Sequence, residues 1–399
     1  MVCKSQYKNH RLEDLKQLTL WEIREFFFIF GPHIETLHGV ARRKYRDRIF
    51  DSLKVLGKLQ NCTVLELRHC YLKDNAIRVL NELPNLQSLT VAENYELTGE
   101  YMNRLTTVTD LVLFWCSNVL PTHFAEVIKS LKDLKSLDIR FCGCLNMFSL
   151  SIMLEHSHKL ECLKISCSIE SYECIARLPS LKQLELLSLA TTELRQQLFE
   201  ELFKHKANQL ESLRIAAINC VRIRQAREIA LLTNLKHLIC ENNKDLTDEC
   251  LQKFTNLKNL EEIALRNCVS ITNEGLLQLV QSCTNLKEVN IQRCTRITDP
   301  FVSKVIKVLK STQSQRRKKA CLFYVDGFPI DHTFTDGFND DETNDNYDIF
   351  SYEIDDGNFY TIHTLITFLC AFLNDVILSL YFQFSLLRMN CLLSFNGKI

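Results

Sequence analysis

Apolar residues return along this chain in one frame, L-x-x-L-x-L-x-x-C/N. The frame opens at Cys62, Leu86, Val108, Leu134, Leu160, Leu181, Leu210, Leu235, Leu260 and Leu286. Successive openings lie 24, 22, 26, 26, 21, 29, 25, 25 and 26 residues apart. A degenerate earlier copy sits at Ile34 and Leu37. A period of about 25 held over roughly 250 residues marks a repeat architecture. That overrides the two or three domains that 399 residues would otherwise lead one to expect.

Two periods coexist inside one unit. "LEEIALRNC", from Leu260, alternates apolar and polar residues and predicts a short strand with one buried face. "ITNEGLLQLVQSCTNL" then spaces Ile271, Leu276, Leu279 and Cys283 at helical intervals, with Thr272 and Asn273 suited to starting a helix. Each unit is therefore strand, turn, helix. A single unit leaves both its strand face and its helix face exposed; stacked neighbours cover them, and the strands join into one parallel sheet. Strands are narrower than helices, so the stack is expected to bend with the strands inside.

The stretches after the strands resemble the cysteine-containing class of leucine-rich repeats, which carries C-x-x-I/L-T-D/N there. "CVSITNEGL", "CTRITDPF" and "NKDLTDECL" match best, and "NYELTGEYM" is close. "CSNVLPTHF" and "CGCLNMFSL" are weaker, and the copies at Leu160, Leu181 and Leu210 lose the Cys. The resemblance covers roughly residues 33–310. It implies an α/β leucine-rich-repeat solenoid, a right-handed horseshoe of about ten or eleven repeats. Parallel strands would line its concave face and helices its convex face.

At the N-terminus, "VCKSQYK" resembles the final helix of an F-box, and "IREFFFIFGPHIETLHG" resembles the segment joining an F-box to its first repeat. F-box/leucine-rich-repeat proteins are substrate receptors of SCF (cullin–RING) ubiquitin ligases. Their F-box docks on a Skp-type adaptor, and their repeats hold the protein to be ubiquitinated. Most of an F-box, including its leading "LP" segment and first helices, is missing from this sequence. Either the chain is an N-terminally incomplete member or the likeness is accidental, so docking on adaptor and cullin stays open. The alternative is a stand-alone leucine-rich-repeat scaffold without a ligase role.

Composition narrows the classes further. Net charge is zero, which gives no reason to expect nucleic acid as a partner. Gly (10) and Pro (6) are too scarce for a many-turned β sandwich. The start lacks the apolar core of a signal peptide. The 18 Cys lie in a chain far longer than a small disulfide scaffold. We therefore expect a reduced protein of the cytoplasm or nucleus. The layout expected is a cap at 1–32 with the F-box remnant, the solenoid at 33–311, a basic stretch and closing strand at 312–330, an acidic tail at 331–358, and an apolar segment at 359–399. That last segment is interrupted by Asn374 and Asp375. It reads as a packed helix, a poorly specified tail or a membrane tether through 359–395.

Catalytic chemistry finds no support. Cys142-Gly143-Cys144 lacks the paired spacing of a zinc site. Cys70, Cys116, Cys142, Cys268 and Cys294 instead share one repeat position, with Asn94 and Asn243 as substitutes, which predicts buried structural thiols. The histidines sit in no catalytic motif, and no glycine-rich loop precedes a helix. We expect no enzyme, no cofactor, no metal and no homo-oligomer. Binding residues are sought among strand positions facing away from the helices. Phe114, Trp115, Asp138, Arg140 and Phe141 fall on adjacent repeats, where aromatic and Arg anchors would hold a protein substrate on the concave face and rim. Arg68, Arg266 and Arg293 are candidates for charge complementarity. The competing expectation is that Trp115 and Phe141 fold back and pack locally.

Overall fold

The structure is a computed structural model. It describes residues 8–11, 15, 18–40, 55–167, 173–189, 192–216, 221–298, 300–312 and 321–324. The expected acidic stretch and apolar C-terminal segment lie outside the described residues, as does most of the basic stretch.

Among the described residues thirteen parallel strands form one sheet in strict chain order. They are β1 (Asn9–Arg11), β2 (Thr36–Val40), β3 (Val64–Arg68), β4 (Ser88–Thr90), β5 (Asp110–Val112) and β6 (Ser136–Ile139). Then come β7 (Cys162–Cys167), β8 (Gln183–Leu189), β9 (Ser212–Ala216), β10 (His237–Ile239), β11 (Glu262–Ala264), β12 (Glu288–Asn290) and β13 (Leu322–Tyr324). Helices join most of the strands: α1 (Leu20–Phe30), α2 (Asp74–Leu80), α3 (Pro121–Ser130), α4 (Met147–His156) and α5 (Glu173–Ala176). They continue with α6 (Thr192–Lys206), α7 (Ile223–Ile229), α8 (Asp248–Phe254), α9 (Asn273–Ser282) and α10 (Pro300–Ser311). From α3 to α10 each helix packs on the next. This is the α/β solenoid that the frame predicts.

The register shows why the frame is obeyed. Leu37, Leu65, Leu89, Leu111, Leu137 and Leu163 pair in succession across the sheet. The row continues through Leu184, Leu213, Leu238, Ile263, Val289 and Phe323. All twelve are buried. Burying one such side chain stabilises the fold by about 1.5–3 kcal/mol. The helices complete the core from their inner faces, as α3 does with Phe124, Ala125, Val127 and Ile128.

The sheet begins upstream of the repeat boundary expected at residue 33. β1 pairs with β2, placing His10 opposite Leu37. The stretch expected as a cap at 1–32 thus contains β1 and α1, and β1 joins the same sheet as β2 of the expected solenoid. Its signal was hidden because His10 occupies the slot that elsewhere holds Leu, Ile, Val or Phe. Helix α1 is started by a Thr19–Glu22 capping box and turns Ile23 and Phe27 inward. At the far end β13 adds to β12.

Two rows of polar side chains tie the repeats along the leading edge, before the strands. In one row, side-chain amides donate to carbonyls one repeat back: Asn61 to Pro32 (2.7 Å), Asn85 to Gln60 (3.1 Å), Asn259 to Thr233 (2.9 Å) and Asn285 to Lys258 (2.8 Å). Where this row carries Asp133 and Lys159 instead, the two form an ion pair at 2.5 Å. The second row alternates in charge over seven repeats: Lys135, Glu161, Lys182, Glu211, Lys236, Glu261, Lys287. Lys182 meets Glu161 at 3.2 Å, Lys236 meets Glu211 at 2.7 Å, and Lys287 pairs with Glu261. Exposed pairs of this kind contribute little each. A slipped repeat, however, would set like charges side by side, so the row disfavours wrong stacking.

Candidate functional site

Each regular repeat leaves the sheet through the same backbone manoeuvre. The fourth residue after the buried ladder position takes a left-handed conformation: His69, Glu93, Trp115, Phe141, Asn242, Asn267 and Arg293 have φ between 56° and 61°. The kink turns each amide toward the next repeat. Trp115 N–H donates to Arg140 O at 2.9 Å, and Asn267 N–H to Gln292 O at 2.8 Å. Asn suits this conformation, whereas a bulky aromatic residue adopts it only at a cost. The strain belongs to the repeat and does not by itself mark a site.

What distinguishes β5 and β6 is the side chains there. Phe114 and Trp115 meet edge to face with centroids 6.0 Å apart, and Phe114 meets Phe141 likewise at 5.5 Å. Trp115 and Phe141 lie 5.3 Å apart with planes tilted by 32°. The three rings pack on one another, as the local-packing expectation has it, yet each remains half-exposed. Arg140 lies over the Phe114 ring at 5.1 Å.

Arg140, expected from the sequence as an interface anchor, is already paired within the chain. Its Nε and Nη2 donate to both carboxylate oxygens of buried Asp138 at 2.9 and 2.6 Å, and its Nη1 donates to Glu185 at 2.7 Å. Burial disfavours its charge, but the two carboxylates outweigh that and raise its pKa. Glu185 also lies 3.7 Å from Lys164 and 3.6 Å from Arg214, which reaches Glu241 at 3.4 Å. Three cations and three anions from β6 to the residues after β10 thus neutralise each other. Sequence position alone could not show this, because Arg140 and Glu185 lie 45 residues apart.

Of the candidates, the structure brings together Phe114, Trp115, Asp138, Arg140 and Phe141. Arg68, on β3, is bonded to Glu66, which in turn bonds His38 at 2.7 Å. Arg266 and Arg293 follow β11 and β12, far along the strand order from the rings. Four further side chains escaped the sequence reading. Tyr95 and Leu120 are exposed on the loops that follow β4 and β5, and Met147 and Phe148 on the first turn of α4, after β6. The available signal was apolar residues just beyond the Cys/Asn position, where the frame asks for none.

The Cys/Asn position is structural. Cys116 Sγ lies 2.8 Å from Val91 O, Cys142 Sγ 2.6 Å from Leu113 O, Cys268 Sγ 3.1 Å from Cys240 O, and Cys294 Sγ 3.1 Å from Leu265 O. Each thiol donates to the buried residue that directly follows the strand of the preceding repeat. Asn94 donates to Leu67 O at 2.9 Å. Burial pushes the Cys116 thiol up to about 12 and Cys62 up to about 11, away from nucleophilic ionisation. Among the described residues no group of three or more His, Cys, Asp or Glu side chains is arranged to hold a metal ion. Among them also, no helix is long and apolar enough to cross a membrane.

No family model and no curated protein matches the chain. Solved structures do. An internalin (inlF) from Listeria monocytogenes is 17% identical with a TM-score of 0.44, over 70% of this chain and 80% of its own. Rad7, solved in complex with Elc1 in yeast, is 16% identical with a TM-score of 0.45, over 79% of this chain and 89% of the matched one. TLR13, solved with ssRNA13, is 16% identical with a TM-score of 0.41, over 71% and 52%. Likeness at this level carries no functional weight. The thirteen-stranded ladder with one frame residue per strand decides the architecture. It is a leucine-rich-repeat solenoid. The solenoid repeats its core and its edge ladders, and leaves the outward strand residues free to differ from repeat to repeat.

Proposed function

We propose that this solenoid is a protein-recognition module, not an enzyme, and that its partner sits over the sheet and its trailing rim near Phe114, Trp115 and Phe141. One observation carries the reading. Three aromatic side chains stand half-exposed, side by side, at positions with no duty in the repeat core. Half-buried aromatic groups of this kind provide large contact area at low entropic cost and anchor protein interfaces. Self-neutralised charges beside them supply polar contacts without a large unpaired charge to desolvate.

Within that module, we assign the chain the role of substrate-binding half of an F-box-type receptor for an SCF ubiquitin ligase, acting in the cytoplasm or nucleus. The resemblance of residues 2–8 and 23–39 to the end of an F-box and its linker supports this role. Two experiments separate the levels. Trp115→Ala with Phe141→Ala is expected to weaken binding of partners cross-linked from cells while leaving the melting temperature unchanged; a lower melting temperature with binding unaltered would reduce the rings to packing. Co-purification of the complete gene product with a Skp-type adaptor tests the ligase role, and its failure leaves a stand-alone scaffold.

A further inference from the structure

Among the described residues ten large apolar side chains are exposed, and four of them sit on the trailing connections of three consecutive repeats: Tyr95 and Leu120 on loops, Met147 and Phe148 on the first turn of α4. These are the same connections that open with Glu93, Trp115 and Phe141. Asn118 Nδ2 donates to Tyr95 O at 2.6 Å, and Leu120 N–H donates to Thr98 O at 2.9 Å, so the first two loops are laced together. Cys142 Sγ reaches back to Leu113 O at 2.6 Å and ties the third repeat to the second. With strands about 4.8 Å apart, three repeats span roughly 10 Å, the length of two helical turns.

Within these three connections the charge is one-sided. Residues 93–100, 115–123 and 141–149 contain three glutamates and no lysine or arginine. Glu96 is exposed and shares Lys73 at 3.2 Å, Glu93 lies 3.5 Å from His69, and Glu100 is exposed. By contrast the network from Asp138 to Glu241 sums to zero.

We infer that the trailing edge of these three repeats is a docking strip for a short basic amphipathic segment of another protein, with apolar anchors flanked by Lys or Arg. The inference rests on the protein-recognition reading and narrows it from the whole face to one edge and one partner chemistry. Apolar anchors seat against Met147, Phe148 and the Trp115–Phe141 pair, and the basic flanks meet Glu93, Glu96 and Glu100. Complementary charge of this kind selects the partner and speeds its encounter more than it adds affinity. The acidic flank also repels anionic lipid, which makes a membrane surface the less suitable occupant.

The test selects a displayed library of random peptides on the full chain. Enriched peptides are expected to combine Leu, Ile, Phe or Trp with flanking Lys or Arg. Their affinity should fall at least about tenfold in Met147→Ser with Phe148→Ser, and severalfold in Glu93→Lys with Glu96→Lys. It should weaken as salt rises. Selected peptides without basic residues, undiminished binding to the Met147→Ser, Phe148→Ser chain, or no enrichment at all would each overturn the strip. Stronger capture of the chain by phosphatidylserine vesicles than by neutral ones, lost in the same variant, would assign it to a membrane instead. Cellular partners that still need Trp115 and Phe141 while peptides ignore Met147 and Phe148 would leave the wider reading standing and remove this one.

Discussion

Replacing Asn94 by Ala removes four hydrogen bonds with one substitution. The side chain is fully buried. Its Oδ1 accepts from Cys70 N–H and Leu72 N–H, both at 3.0 Å, and its Nδ2 donates to Leu67 O and Ala92 O, both at 2.9 Å. Three of the four partners belong to the preceding repeat, so the amide is a clamp between units. Each lost bond is worth about 0.5–1.5 kcal/mol net, and a buried group left unpaired costs about 1–3 kcal/mol. Allowing for relaxation, Asn94→Ala should destabilise the chain by about 3–5 kcal/mol. Asn94→Cys keeps a donor toward Leu67 O, as Cys116 does toward Val91 O, and should cost about half as much. The assay is urea denaturation of the three proteins, with hydrogen exchange of the Cys70 and Leu72 amides as a local readout. A loss below about 1 kcal/mol for Asn94→Ala, with those two amides still protected, would refute the view that this row exists to satisfy buried backbone groups.

Other expectations follow from the same contacts. Asp248 accepts from Thr272 N–H (2.8 Å) and its hydroxyl (2.6 Å) one repeat on, and a Cβ on Gly275 would overlap the Asp248 side chain. Gly275→Ala should therefore destabilise the natural chain, and an Asp248→Ala background less, because the carboxylate is then gone while the Cβ of residue 248, 2.7 Å from the added one, remains; calorimetry of the four proteins reads the difference. Lys236 and Lys287 hold Glu211 and Glu261 below the ordinary glutamate value of 4.5. A depressed folded pKa gives stability that is present above the unfolded value and lost as pH falls through the folded one. Melting temperature should thus decline below about pH 4.5, and less steeply in Lys236→Met with Lys287→Met. Finally, Cys62 and Cys116 should resist iodoacetamide in the native chain and react on unfolding; rapid native labelling by mass spectrometry would contradict their burial.

Much of the fold was legible because the constraint on it repeats. A parallel ladder buries one residue per strand, so a Leu, Ile or Val every 25 residues or so is visible without coordinates. The exceptions have physical causes. His10 fills a ladder slot in the first described strand and meets the Phe26 ring edge to face at 5.1 Å, so an aromatic polar residue stands where the frame has Leu and the frame disappears. The repeats opening at Leu160 and Leu181 carry longer strands, and between Ser166 and Cys167 the register shifts; their strands run on through the place of the usual kink, and the Cys of the frame is lost there.

The candidate site divides along the same line. Sequence by itself determined that Phe114, Trp115, Arg140 and Phe141 would be neighbours, because stacking turns a distance of 26 residues into one strand spacing. It also determined that the recurrent cysteines were structural, since a shared repeat position means a shared environment. Only the tertiary structure decided what the charges do. Arg140 answers to Glu185 two strands away and Asn94 to a loop one repeat back, and the exposure of Met147 and Phe148 follows from how α4 begins. Periodicity encodes burial because burial is common to every repeat; pairing and exposure depend on what each repeat's particular neighbours offer, and that is fixed only when the repeats are stacked.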